Sequence, residues 1–209
     1  MLKHLMRTPG RLTATFMTLL VSLAGLSVPL PSSAEPLTQR PGLKVFLLRG
    51  FTNVLSPGID QLEEELRRRD INTTIANHLF YSSLAEEALQ DCMSGRASSI
   101  VLVGHSFGAS AALSMAETLN RQGVQVALVV TFDPVLKNSV PANVQRLENF
   151  YLSDGVGQPV QQGDHFRGAL ENVDLRGNAQ VGHISVTTYP SIHERVLKDI
   201  LAAKTRCRS

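Results

Sequence analysis

The residues whose types and spacing most clearly indicate catalytic chemistry lie at positions 104–108, where the sequence reads Gly-His-Ser-Phe-Gly. An apolar run at 100–103 precedes this segment, and a run of small residues follows it. The pattern G-x-S-x-G between a strand and a helix predicts a tight turn with Ser106 at its tip. Glycine suits both flanking positions because a Cβ there would clash with the strand or the helix. Since free N–H groups at a helix N-terminus favour negative charge, Ser106 is the predicted nucleophile for attack on a carbonyl.

The elements that must position this serine alternate between apolar strands and amphipathic helices. Strands are predicted from apolar runs, at residues 43–49, 72–76, 100–103, 124–131 and 149–152. Helix starts are predicted from capping signals, at Ser56-Pro57, at Ser83 with Glu86 and at Ser191 with Glu194. Such an alternation predicts a mostly parallel sheet covered on both faces, with ligands bound at the carboxyl ends of its strands.

The tight turn at residues 104–108 is of the kind called a nucleophile elbow. With this elbow and this order of elements, the chain resembles a small member of the α/β-hydrolase superfamily over about residues 43–203. The resemblance implies a three-layer fold with a mostly parallel sheet and helices on both faces. It also implies a serine nucleophile, an acid and a histidine, in that chain order, acting on esters or thioesters. The connections between elements are short and polar, so no sizeable lid is expected.

Two aspartates compete for the role of the acid. Asp133 follows the apolar strand and precedes Pro134, in an Asp-Pro setting similar to that of animal digestive lipases. Asp154 follows the next predicted strand, where many other family members carry their acid. Either could instead be an aspartate that caps a loop. Strand position favours Asp133, with Asp154 as the alternative.

The base is expected in a loop between the last strand and the last helix, and His183 meets this requirement. His193 is the main alternative, but it lies in the first turn of the final helix, where the N-terminal field disfavours an imidazolium. His165 lies in a polar loop, His105 within the elbow and His78 after a strand. Position therefore favours His183.

Two backbone N–H groups are predicted to form the oxyanion hole: that of Phe107, directly after the nucleophile, and that of Phe51, in the loop after the first strand. Gly50 lets this loop approach a substrate. The expected reaction is hydrolysis of a small-molecule ester or thioester through an acyl-enzyme, with no cofactor. The alternatives are a non-catalytic exported binding protein on the same fold, or an acyltransferase or peptidase.

The first 34 residues resemble a secretory signal: a basic start, an apolar run at 12–30 and small residues before a cleavage site after Ala34. A retained membrane anchor is the alternative, and the prolines and small residues at the end of the run favour cleavage. A linker is expected at 35–42 and one domain at 43–209. The predicted location is periplasmic or secreted, with no stable membrane insertion after cleavage.

Charge and cysteine content narrow the function classes further. Removing three of the 20 basic residues and none of the 18 acidic ones with the signal leaves 17 against 18, a formal net charge of −1. Nucleic acid is therefore not an expected partner.

No Cys/His spacing predicts a metal site. Export permits a bridge between Cys92 and Cys207, which the sequence leaves open because Cys207 lies in a tail expected to be frayed. Since the connections are polar, a shallow site for short or soluble acyl groups is expected.

Overall fold

The computed structural model describes residues 42–51 and 56–207 of the 209-residue chain. The predicted signal at 1–34 and nearly all of the predicted linker at 35–42 lie outside the described residues. Within the part of the chain that is described, no helix combines the length and the apolar character needed to cross a membrane.

In residues 42–51 and 56–207, eight strands form two sheets. In chain order they are β1 (Gly42–Arg49), β2 (Asn72–Asn77), β3 (Ala97–His105), β4 (Leu128–Phe132), β5 (Asn138–Val140), β6 (Arg146–Tyr151), β7 (Val160–Gln162) and β8 (Ala169–Asp174). The large sheet has the order β2-β1-β3-β4-β6-β8, and every pairing in it is parallel. Strands β5 and β7 pair separately. All carboxyl ends of the large sheet therefore meet at one edge.

Four α-helices of the described part of the chain cover this sheet: α1 (Pro57–Arg67), α2 (Tyr81–Met93), α3 (Phe107–Arg121) and α4 (Pro190–Ala202). Helices α2 and α3 enclose one apolar core, and α1 and α4 enclose the other. Strand β1 shows why both form, since Phe46 and Leu48 face the first core whereas Val45 and Leu47 face the second. The predicted fold class is confirmed: this is a three-layer fold of the α/β-hydrolase type.

Several element boundaries differ from those predicted. The strand expected at 124–131 is β4 (Leu128–Phe132), with only an isolated bridge at Val126, and the strand expected at 149–152 is β6 (Arg146–Tyr151). The sequence missed β5, β7 and β8. Strand β8 lies at the edge of the sheet with half-buried or exposed residues, so it lacks the apolar run by which the central strands were recognised.

The side-chain capping hydrogen bonds predicted at the starts of three helices are absent from α1, α2 and α4. Helix α2 begins at Tyr81 rather than after Ser83, whose hydroxyl donates to the carbonyl of Phe80. Helix α4 begins at Pro190, with Tyr189 rather than Ser191 at the cap position. Ser56 does precede α1, but its hydroxyl makes no capping bond to the helix.

The carboxyl-terminal segment is fixed to the domain by a disulfide between Cys92 and Cys207, whose Cα atoms are 6.0 Å apart. Cys207 also donates its N–H to Ser98 (2.8 Å) and accepts one from Gln125 (2.9 Å). The expectation of a frayed tail at Cys207 is therefore wrong. The bridge closes a loop across 115 residues, which stabilises the fold by restricting the unfolded chain.

Candidate active site

Ser106 occupies a strained turn between β3 and α3, with φ 58° and ψ −121°. Two close approaches of the backbone explain the glycines around it. A Cβ on Gly104 would lie 2.1 Å from the carbonyl oxygen of Gly108, and one on Gly108 would lie 2.1 Å from that of Leu48. The turn can therefore form only with glycine at both positions, and it holds Ser106 in a backbone region that non-glycine residues rarely adopt.

Three of the predicted side chains meet in one line of hydrogen bonds. Asp133 Oδ2 lies 2.6 Å from His183 Nδ1, and His183 Nε2 lies 3.1 Å from Ser106 Oγ. Because the carboxylate accepts the proton of Nδ1, the lone pair of Nε2 is directed at the serine hydroxyl. The arrangement can remove a proton from Ser106 while the carboxylate stabilises the resulting imidazolium.

Asp133 is fully buried and is positioned from two sides. Its main chain, at φ 47°, donates its N–H to the Phe150 carbonyl (2.8 Å), and its Oδ1 accepts the N–H of Leu152 (2.8 Å). A Cβ on Gly157 would lie 1.8 Å from the same Oδ1. Gly157 therefore makes room for the carboxylate, a role that nothing in the local sequence around Gly157 indicated.

The backbone of the base is held by a second histidine. The carbonyl of His183 lies 2.7 Å from Nε2 of His105, whose Nδ1 lies 2.9 Å from Ser56 Oγ. Ser56 Oγ also accepts the N–H of Gly50 at 3.3 Å. Burial, the largest influence, lowers the pKa of His105 to about 4, so its ring is neutral at neutral pH. From the sequence, His105 was located in the elbow but no role was predicted for it, and the hydrogen bond between Ser56 and His105 was not predicted.

The loop after β1 passes close to Ser106, as the predicted oxyanion hole requires. A Cβ on Gly50 would lie 3.2 Å from Ser106 Cβ and 3.6 Å from its Oγ. The Gly50 carbonyl accepts hydrogen bonds from Asn77 Nδ2 (3.2 Å) and His78 Nδ1 (3.1 Å). The N–H of Phe51 follows in this loop, and the rest of the loop, residues 52–55, lies outside the described residues.

The alternative acid lies in a different setting. Asp154 is exposed, and its Oδ2 accepts the N–H of Gly177 at 3.1 Å, as in a loop-capping aspartate. The Nδ1 atom of His183 faces Asp133 instead.

The alternative bases also lie elsewhere. His193 links two helices and a loop, because its Nε2 lies 3.2 Å from Glu65 of α1 and its Nδ1 lies 3.3 Å from the Thr187 carbonyl. His165 lies in an exposed loop with φ 61°. Of the three, only His183 has a ring nitrogen within hydrogen-bond distance of Ser106 in the described structure.

Two kinds of surface lie near the three side chains, one beside Asp133 and His183 and one beside Ser106. On the side of His183 lies a cleft of about 520 Å³ with apolar lining side chains, among them Leu152, Val156 and Val181. On the side of the β1 loop, Phe51 and Phe107 have ring centroids 6.3 Å apart.

The aromatic surface extends further along the same edge of the sheet. The ring of His78 lies 5.6 Å from that of Phe107, and the next residues, Leu79 and Phe80, have 74% and 58% of their surface exposed. Phe51 is 75% exposed. The rings of Phe51 and Phe107 thus add apolar surface close to Ser106 that the sequence did not predict, because they come from separate segments, the loop after β1 and the start of α3.

Among the described residues, no three His, Cys, Asp or Glu side chains converge in an arrangement that could hold a metal ion. The comparisons with known proteins find matches among solved structures. No family model matches the chain, and no curated protein matches it.

Solved structures resemble it weakly. One is a candidate hydrolase of the alpha/beta superfamily from Xanthomonas campestris pv. campestris, with 12% identity and a TM-score of 0.41 over 76% of this chain and 96% of that one. Another is RedJ, a thioesterase of the prodiginine biosynthetic pathway in Streptomyces coelicolor, with 13% identity and a TM-score of 0.44 over 81% and 90%. A structure of RedJ with a polyethylene glycol molecule bound in its active site has 13% identity and a TM-score of 0.45, over 82% of this chain and 100% of that one. At such identities and TM-scores, these likenesses carry no weight for the function of this chain.

Proposed function

We propose that this protein is a serine hydrolase of the α/β-hydrolase superfamily that cleaves ester or thioester bonds. One observation carries the proposal: the line of hydrogen bonds from Asp133 through His183 to Ser106, at 2.6 and 3.1 Å. A serine hydroxyl is a weak nucleophile unless a base removes its proton during the attack, and this line supplies both the base and the group that orients it.

The proposed reaction uses this line of hydrogen bonds in two steps. His183 Nε2 takes the proton of Ser106 as Oγ attacks the carbonyl carbon, and the N–H groups of Phe107 and Phe51 stabilise the oxyanion. The His183 imidazolium, paired with Asp133, then gives its proton to the leaving oxygen or sulfur. Water, activated by the same histidine, attacks the acyl-enzyme and releases the acid. No step needs a cofactor.

The surfaces beside Ser106 suggest how the substrate lies. The leaving atom must be within reach of His183 Nε2 to receive its proton, so the leaving group lies on the His183 side of Ser106. The acyl group then points towards the aromatic surface formed by Phe51, Phe107 and His78, with exposed Phe80 two residues beyond His78. We therefore propose an apolar acyl group, in place of the short or soluble one that the sequence favoured, because exposed apolar area beside a reactive group favours an apolar ligand.

A series of p-nitrophenyl esters from acetate to octanoate tests this orientation. The wild-type kcat/KM should rise by up to about fourfold for each methylene that is buried. Phe80→Ser should lower the ratio of octanoate to acetate activity. Met93→Ser is the matched control, since Met93 is equally exposed (57%) but ends α2 at the opposite edge of the sheet. If Phe80→Ser leaves the ratio unchanged, the acyl group lies elsewhere.

Export is part of the proposal, with the protein periplasmic or secreted. The signal-like features of residues 1–34 and the disulfide between Cys92 and Cys207 both support it, since disulfides are rare in the reducing cytosol. N-terminal sequencing of the exported protein should give Glu35 as its first residue. A protein that keeps its first 34 residues would contradict cleavage.

The activity itself is tested by labelling the purified protein with a fluorophosphonate, which reacts with activated serines. The wild type should be labelled and Ser106→Ala should not. Ser110→Ala is the matched control, because Ser110 is as buried as Ser106 (7% each) and lies one turn further along α3. An unlabelled wild type would favour a binding protein without turnover. A labelled protein that transfers the acyl group to an alcohol would be an acyltransferase, and one that cleaves peptides would be a peptidase.

A further inference from the structure

A buried chain of hydrogen bonds joins the loop of the predicted oxyanion hole to the predicted base. It runs from the Gly50 N–H to Ser56 Oγ (3.3 Å), from Ser56 Oγ to His105 Nδ1 (2.9 Å), and from His105 Nε2 to the carbonyl of His183 (2.7 Å). The side chains within it are sealed from water, since Ser56 is 0% exposed and His105 is 1% exposed.

The direction of every bond in this chain is fixed by its ends. The carbonyl of His183 can only accept, so Nε2 of His105 carries the ring proton and Nδ1 must accept. The backbone N–H of Gly50 can only donate, so Ser56 Oγ accepts it and directs its own proton to Nδ1. Each polar group in the chain thus has its partner, which is what burial demands.

We infer that His105 is a positioning residue, whose neutral imidazole sets the place of His183 on one side and, through Ser56, of the Gly50 loop on the other. The inference rests on the proposed function. One buried ring would then fix the spacing between the group that deprotonates the serine and the loop that receives the oxyanion. Asp133 orients the ring of His183, whereas His105 holds its main chain.

The charge of His105 fits this role. Its ring lies 4.9 Å from the ring of His183, which becomes positively charged during the proposed reaction. A second positive charge so close would oppose that step. Burial keeps the pKa of His105 at about 4, so His105 stays neutral while His183 takes up and releases its proton.

The expected effects are on turnover rather than on substrate binding. His105→Leu removes both ring hydrogen bonds and should lower kcat for p-nitrophenyl acetate by about 100-fold, the cost of misplacing a reacting group by about 1 Å. KM should change less than about threefold. His105→Gln carries one acceptor and one donor on a planar group and should recover at least about tenfold of this loss. Ser56→Ala removes the bonds of its hydroxyl to Gly50 and to His105 Nδ1 but keeps the bond from His105 Nε2 to the carbonyl of His183, and it should lower kcat by about tenfold.

The control is Asn143→Ala. Asn143 is also buried, and its amide donates to the carbonyls of Ala116 (3.0 Å) and Val124 (2.8 Å), away from the carboxyl ends of the strands. Its loss should lower stability while kcat per active site stays within about twofold of the wild type. Counting active sites by fluorophosphonate titration removes unfolded protein from every comparison.

The outcomes separate the two proposals. An inactive, unlabelled wild type overturns the proposed function, and the role of His105 with it. An active wild type whose His105→Leu variant keeps its kcat per active site, while only its stability falls, leaves the function standing and overturns the positioning role. If His105→Leu does not fold, His105→Gln and Ser56→Ala decide: a kcat within twofold of wild type in both overturns it.

Discussion

Replacing Gly157 by alanine should disable the proposed acid while every residue of the proposed triad keeps its identity. The added Cβ would lie 1.8 Å from Asp133 Oδ1 and 2.8 Å from both Asp133 Cγ and the backbone nitrogen of Leu152. These contacts are shorter than atoms tolerate, and Asp133 is fully buried, so either the carboxylate or the loop of Gly157 must shift.

The size of the effect can be bounded. Loss of the orienting carboxylate altogether costs about 10⁴-fold in kcat, and displacement by about 1 Å costs about 100-fold. Gly157→Ala should therefore lower kcat between about 100-fold and 10⁴-fold. Overpacking should also cost about 1–3 kcal/mol of stability.

The assay is kcat for p-nitrophenyl acetate, with circular dichroism and urea unfolding to check the fold. Gly155→Ala provides a matched control two residues away, because its Cβ would meet atoms of Leu152 only at 3.6 and 3.7 Å, ordinary contact distances. Its kcat should stay within about threefold of the wild type. If Gly157→Ala and Gly155→Ala have equal activity, the close approach to Asp133 does not matter for turnover and the reasoning is refuted.

Three further predictions concern the acid, the disulfide and a buried carboxylate. Asp133→Asn should lower kcat by about 10⁴-fold, whereas Asp154→Asn should stay within about threefold; the reverse order in esterase assays would move the acid to Asp154. Replacing Cys92 and Cys207 by serine should cost about 2–5 kcal/mol in urea unfolding and leave kcat per active site unchanged, and an unchanged midpoint would contradict a structural bridge. Burial, more than repulsion from neighbouring Asp199, raises the pKa of Glu148 to about 7 from its ordinary 4.5. The protonated carboxyl therefore stabilises the folded state fully below about pH 4.5, and this stabilisation, at most about 3 kcal/mol, is lost as pH rises through 7. The free energy of unfolding of the wild type, measured between pH 4.5 and 8, should show this decline, and that of Glu148→Gln should not.

The central sheet was predictable because its strands are buried on both faces and so read as apolar runs. Strand β3 (Ala97–His105) contains such a run, with Ile100 to Val103 wholly buried. The serine turn was predictable for a different reason, since the close approaches at Gly104 and Gly108 admit only glycine. In both cases the requirement acts within a few residues of sequence.

What the sequence could not supply are contacts between distant residues. Ser56 has the residue type and position of a helix cap, but its hydroxyl bonds to His105, 49 residues away. The edge strand β8 is recognisable only through its partner β6. The same limit applies to the site. The motif alone identifies Ser106, but the pairing of Asp133 with His183 joins residues 50 positions apart, so it cannot be read from a local pattern.

The measurement that tests the central claim most directly is the turnover of p-nitrophenyl esters by the purified protein and by Ser106→Ala. The wild type should hydrolyse them with a burst equal to the concentration of enzyme, and the acyl group should be found on Ser106 by peptide mass spectrometry. Ser106→Ala should keep its circular dichroism spectrum and lose activity on the order of 10⁶-fold. Activity that survives in a folded Ser106→Ala protein would contradict the assignment of Ser106 as the nucleophile.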